Sequence, residues 1–370
     1  MATMDRLLAG HPRESLADQS HGSSLLGKTS WVSCAGSLLV CYLIALCGCQ
    51  QSAAVPIQQP DESAKIHAVA TVGMVADLVR NVGGPHVHVT QLMGPGVDPH
   101  LYKVTRDDVR ALFGGDVIFY SGLMLEGKMT HTLQQMALRK PVIGVAESLP
   151  AGRLLGSDAA SDHGGEGHHA DPHVWMDVAL WAETLPVVTE ALVAFAPQHT
   201  EDFRANAQRY REELRALHQY GIDSLSTIPP QRRQLITSHD AFGYFGRAYG
   251  LEVRGVQGLS TDSEAGLMRI NQLVDLIVGR QIGAVFVESS VPRKSLEAVI
   301  EGAGARGQRV VIGGELYSDS GGAEGTFEAT YLGMMDHNFT HVARALGGAA
   351  PESGLYRRLS SHPQTVEAVR

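Results

Sequence analysis

Between residues 66 and 348 the chain alternates short apolar runs with longer amphipathic ones. Seven short runs read as strands: residues 66–71, 87–93, 116–120, 142–145, 234–237, 283–287 and 309–312. Helical spacing fills many of the gaps, for example over residues 75–82 and 265–280. Strands that alternate with helices predict an α/β protein with parallel sheets flanked by helices on both faces. One segment breaks the alternation. From His199 to Gly221 neither Gly nor Pro intervenes, and apolar groups recur at Phe203, Ala207, Tyr210, Leu214 and Leu217. That spacing is one stripe of a single amphipathic helix, about 35 Å long at 1.5 Å rise per residue. Pro197 precedes it and Pro229-Pro230 follow it. A strand–helix region lies on each side, so the helix is read as a link between two lobes.

The domain reading is therefore a first lobe over residues 66–198, a linking helix over 199–222 and a second lobe over 223–348. Periodicity fades after Gly347-Gly348, and residues 349–370 read as a loose tail. The N-terminal end is different in kind. Residues 31–49 are mostly apolar and uncharged, Lys28 stands just before them, and they end on Leu46-Cys47-Gly48-Cys49. An aliphatic residue, two small residues and a cysteine resemble a bacterial lipobox, in which Cys49 carries the lipid. This divides the start of the chain into a signal peptide, residues 1–48, and a polar tether, residues 49–65. Residues 1–30 are long for a leader and hold Asp5, Glu14 and Asp18. The expected location is the cell envelope, on the extracytoplasmic side of a membrane that holds the anchor.

Composition narrows the chemistry. All four cysteines fall within the first 49 residues, so no thiolate or disulfide serves the folded body. The formal net charge of −9 comes with no basic stripe, which argues against nucleic acid. The 17 histidines are more telling, because many stand beside acidic residues, Gly and Pro. Asp-Pro-His occurs twice, at Asp98-Pro99-His100 and Asp171-Pro172-His173. Proline fixes its own φ and pushes the residue before it toward extended geometry, so each histidine is presented from a stiff loop. His239 follows the strand over 234–237, and Asp319 follows the strand over 309–312. In open α/β sheets ligands bind beyond the carboxyl ends of strands, which is where His100, His239 and Asp319 fall. Asp98, Asp171, Asp240 and Glu288 read as turn formers, caps or groups that orient the imidazoles. Trp175, Phe242 and Tyr244 read as cleft wall or core, as does the pair Met334-Met335.

These segments resemble the metal-binding, substrate-binding proteins of ABC importers, the zinc and manganese group that includes the ZnuA, TroA and PsaA types. The resemblance runs over nearly all of residues 66–348. It takes in Thr71-Val72-Gly73-Met74 with Asp77, Gly122-Leu123-Met124-Leu125-Glu126, Val287-Glu288-Ser289-Ser290 and residues 331–338. It implies four metal ligands, His100, His173, His239 and Asp319, in a cleft between two α/β lobes joined by one long helix. It also implies delivery of the ion to an ABC permease with its ATPase, by a monomer held to the membrane through its lipid. Departures occur at Lys103-Val104, Val178 and Gly321-Gly322, none of them a ligand position.

Three imidazoles and one carboxylate suit zinc, which favours nitrogen donors in four-coordinate sites, ahead of oxygen-preferring manganese. Residues 156–170, with His163, His168 and His169, resemble a short His-rich loop that could collect zinc weakly, or a solvated loop with no such role. Two other classes were weighed. A zinc hydrolase needs an open coordination position and a nearby base, and no HExxH motif occurs. A metal-binding surface adhesin has no residue of its own in support. The expectation is a transport protein with no chemical step.

Overall fold

A computed structural model of the chain describes residues 65–156 and 170–359. The lipobox with Cys49, the leader, nearly all of the tether, and His163, His168 and His169 lie outside the described residues.

The first lobe is built on four parallel strands in the order β2-β1-β3-β4. These are β1 (Ile66–Ala70), β2 (Val87–Gln91), β3 (Val117–Tyr120) and β4 (Val142–Gly144). The helices α1 (Gly73–Gly83), α2 (Arg106–Gly114) and α3 (Thr130–Ala137) connect successive strands. The ends of β1 and β3 are tied by a buried carboxylate. Glu126 accepts hydrogen bonds from Thr71 Oγ1 (2.6 Å) and the amides of Ser121 (2.7 Å) and Gly122 (3.1 Å). Gly156 bridges antiparallel to Ala170, and α4 (Val178–Trp181) and α5 (Leu185–Phe195) follow. Asp177 caps α4 by accepting from the amides of Ala179 and Leu180.

The linking helix α6 (Thr200–Ser226) has 27 residues, about 40 Å at helical rise. It packs on α1 and α5 of the first lobe and, farther along, on α7 (Gly243–Tyr249) and α10 (Tyr331–Ala345). Its predicted stripe is fully or nearly fully buried at Phe203, Ala207, Tyr210, Leu214 and Leu217. The helix runs to Ser226, past residue 222 where the sequence reading ends it. A Cβ at Gly221 would lie 2.7 Å from the Phe339 ring, so this glycine admits α10 rather than ending α6.

The second lobe holds two parallel pairs, β5 (Gln234–Thr237) with β6 (Glu252–Gly255), and β7 (Ala284–Glu288) with β8 (Val311–Leu316). Strand β5 lies beside β7. The order β6-β5-β7-β8 therefore repeats that of the first lobe. Alternation along these strands serves two cores. Leu235 and Phe286 face the core shared with α6, α7 and α10, whereas Ile236, Val285 and Val287 face α8 (Leu267–Arg280) and α9 (Lys294–Ala305).

Three expectations change. Strand β6 was not anticipated. Strand β8 begins at Val311 and runs through Gly313-Gly314 to Leu316, whereas residues 309–312 were expected. Gly313 lies against the Phe286 ring, where a Cβ would be 3.0 Å away, and the pairing bulges at Val285/Phe286. The described part of the tail is docked, not loose. Leu355 and Tyr356 donate their amides to the Asp336 carboxylate, and Leu359 is buried.

Candidate metal centre

Each of the three predicted histidine ligands sits on a turn that a carboxylate shapes. After β2, Asp98 Oδ1 accepts the His100 amide (2.9 Å), closing a turn that aims the imidazole into the molecule. At the end of the loop before α4, Asp171 Oδ1 accepts both the amide (2.9 Å) and Nδ1 (2.7 Å) of His173. After β5, Glu288 at the end of β7 plays the same part for His239. Its two oxygens take the amide (2.8 Å) and Nδ1 (2.6 Å). An ionised carboxylate can only accept, so Nδ1 of each ring carries the proton. Once it has given up any second proton, each ring directs its Nε2 lone pair away from its carboxylate and into the cleft. Asp319 lies three residues beyond β8, between Ser318 and Ser320.

The structure brings all four side chains together. One ligand atom from each of His100, His173, His239 and Asp319 falls within 4.8 Å of the others, and all four residues are buried. His100 Nε2 and His173 Nε2 are 3.3 Å apart. Asp319 Oδ1 is 3.4 Å from His173 Nε2, and Oδ2 is 3.2 Å from His239 Nε2 and 3.8 Å from His100 Nε2. An ion held tetrahedrally at about 2.0–2.1 Å has ligand–ligand edges of about 3.3–3.4 Å, so the spacing is close to that of a four-coordinate cage. Both oxygens of Asp319 and Nε2 of His239 are buried without a hydrogen-bond partner. Buried polar atoms are rarely left so, because each forfeits its hydration. A cation is the partner that satisfies all three at once.

Charge in the cage is strongly coupled. Burial opposes the charged form of His173, but Asp171 and Asp319 outweigh it and hold the group up at about 9. Burial likewise opposes charging of His239, and Glu288 with Asp319 raises it well above the usual imidazole range. Burial dominates at His100, helped by the other two histidines against the pull of Asp319, and lowers it to about 4. Burial would raise Asp319, yet the neighbouring charge of His239 and His173 holds it well below the carboxylate range.

Other groups fix the frame. Trp175 packs edge-on to His173 at 5.4 Å and donates Nε1 to the Ser318 carbonyl (2.9 Å). Tyr331 donates to the Trp175 carbonyl (2.6 Å), and Tyr244 donates to the Asp171 carbonyl (2.9 Å). Phe242, Met334 and Met335 are core. Asp240 makes no side-chain bond to the four. The sequence reading missed three contacts that join the lobes. Thr261 Oγ1 donates to Asp98 Oδ2 (2.5 Å), the Gly96 amide donates to Ser320 Oγ (3.0 Å), and Lys128 pairs with Asp262 (2.5 Å). Thr261 and Asp262 stand in a polar loop with no periodicity, and only the fold shows what faces them.

Two parallel-stranded lobes, a long helix joining them, and a buried cage of three imidazoles and a carboxylate define a metal-binding protein of the solute-receptor class. The chain belongs to the family of periplasmic zinc-uptake complex component A, whose model matches residues 68–345. The manganese-binding lipoprotein MntA of Bacillus subtilis is 44% identical over 312 residues, 84% of this chain and 98% of that protein. The zinc-binding protein TroA of Treponema pallidum is 44% identical over 278 residues, 75% of this chain and 88% of that protein. The solved structure of the Treponema pallidum periplasmic zinc-binding protein TroA superposes with a TM-score of 0.72 at 43% identity, covering 76% of this chain and 99% of that one.

Proposed function

We propose that this protein captures one divalent transition-metal ion between its lobes, with His100, His173, His239 and Asp319 as the ligands, and hands it to an ABC permease. The observation that carries the reading is the trio of buried polar atoms without a hydrogen-bond partner, Asp319 Oδ1 and Oδ2 and His239 Nε2, clustered with two further imidazole nitrogens. Zinc fits best and manganese second. Three nitrogens and one carboxylate match the borderline-soft ion, whereas manganese favours more oxygen and higher coordination. The relatives' names divide between the two metals, so the donor set is the argument.

The ion is cargo. Four protein donors in a sealed cage leave no open position for an activated water, which a zinc hydrolase requires. Lipidation at Cys49 and an extracytoplasmic location follow from the lipobox pattern and agree with relatives named as lipoproteins. The lipid would keep a monomeric receptor close to its permease.

The test is elemental analysis of protein purified without added metal, followed by zinc–manganese competition in a calorimeter. The expected result is one tight ion per chain, with zinc displacing manganese. His239→Ala should abolish the tight step while the far-ultraviolet circular dichroism stays unchanged. Undiminished affinity in that variant would falsify the ligand assignment.

A further inference from the structure

A second cluster of donors lies where the first lobe meets the linking helix, and it shares no residue with the cleft. His86 closes the 3-10 turn Gly84–His86, and His199 stands immediately before α6. Their rings stack with centroids 3.8 Å apart and planes inclined by 15°. His86 Nε2 lies 2.8 Å from Asp202 Oδ2 in the first turn of α6. One ligand atom from each of the three falls within 4.8 Å of the others. Both histidines are half-buried and Asp202 is exposed, so the cluster opens to water on one side.

Packing and a hydrogen bond beneath the cluster hold its frame. The fully buried Phe203 ring meets His86 edge-on at 5.9 Å and His199 edge-on at 6.1 Å. One turn along α6, Asn206 Nδ2 donates to the Val82 carbonyl at 3.1 Å. Gly84 has φ +54, and a Cβ there would come within 2.8 Å of that same amide, so helix and turn approach closely. The backbone elements are fixed, and ligation asks that one stacked ring turn about its side-chain torsions so that its in-plane lone pair meets the ion.

We propose that His86, His199 and Asp202 form a second, solvent-open site for a divalent transition metal of the zinc, nickel and copper class. Two imidazoles and a carboxylate suit those ions, and water completes the coordination. The positive end of α6 opposes a cation there, and Glu201 and Asp202 in its first turn offset that charge. With three protein ligands and an open face, the site is weaker and faster-exchanging than the cleft. An ion bound there staples the start of the linking helix to the first lobe.

A stacked pair with a salt bridge and no affinity for metal is the competing account, and the two separate experimentally. The full chain carrying His163→Ala, His168→Ala and His169→Ala, which removes the loop histidines, is loaded with one equivalent of Zn2+ and titrated with more. The expected result is a second, weaker heat, shifts of the His86 and His199 imidazole resonances, and a Zn2+-dependent rise in unfolding temperature. All three are lost in His86→Gln and His199→Gln, with the first heat unchanged. The proposal is overturned if excess Zn2+ leaves the two imidazole resonances of the parent unmoved, a reading that does not need the variants to fold. It is also overturned if the second heat survives both substitutions.

Discussion

At the residue scale the cage works through the groups behind the ligands. Glu288→Gln leaves His239 in place but turns a charged acceptor at Nδ1 into an amide. Loss of such an orienting partner typically weakens metal binding by about 10–100-fold, and calorimetry should find a loss of that size. An unchanged affinity would show that Glu288 only shapes the turn. Proton competition acts at the same scale. Metal binds neutral imidazole. His173 sits near 9 and His239 well above the usual range in the ion-free cage, so at neutral pH both hold protons that a cation must expel. Affinity should therefore rise with pH from neutrality toward about 9 and fall in acid, while His100, already neutral above about 4, contributes no release near neutrality. Calorimetry at pH 7 in buffers of different ionisation enthalpy should show net proton release; zero release would contradict the charge state derived for the cage.

At the element scale two close approaches decide what the helices and strands tolerate. Gly221→Ala removes a poor helix former from α6, a gain of about 1 kcal/mol in an open helix. Here the new Cβ meets three atoms of the Phe339 ring at 2.7–3.0 Å, and that ring is held by Phe245 and Tyr249. Overpacking of this kind costs about 1–3 kcal/mol, so a net loss of stability is expected in urea unfolding of the ion-free protein. A stabilised variant would mean that α10 can shift. Gly255 ends β6, and a Cβ there would fall 2.4 Å from the Asp240 amide and 2.5 Å from the His239 carbonyl carbon. Gly255→Ala must move the turn that presents His239, so tight zinc binding should weaken together with stability. Calorimetry on the folded fraction checks it.

At the scale of the whole molecule, the proposed ligands and the contacts between the lobes lie together. Each lobe supplies two of the proposed ligands, and the turn of His100 is tied across the cleft by Thr261 to Asp98 and by Gly96 to Ser320. Thr261→Val keeps the shape and deletes the donor to a charged acceptor, a bond of about 1.5–3 kcal/mol. The expected result is faster release of zinc to a chelator in stopped flow, with the association rate little changed. Equal release rates would place Thr261 outside the closing contacts.

Much of this was legible in the chain, and for local reasons. The stripe from Phe203 to Leu217 is a nearest-neighbour pattern, and so is the presentation of His100 and His173 by Asp-Pro-His. The strands over 66–70 and 234–237 show their apolar runs openly. Strand β6 was hidden because Glu252 and Arg254 interrupt its short run, and its pairing with β5 supplies what its own residues do not. The last turn of α6, to Ser226, was not anticipated, since the apolar stripe fades after Leu217 and only packing against α10 shows that Gly221 lies within the helix. By itself the sequence offered candidate donors and stiff Asp-Pro-His presentation for two of them, which are properties of a few adjacent residues, while the full set of four was what the family resemblance implied. Their convergence to within 4.8 Å, their charge states, the threonine clasp and the pairing of His86 with His199 were decided only by the tertiary structure. Each depends on distances between residues remote along the chain, and packing alone sets those distances.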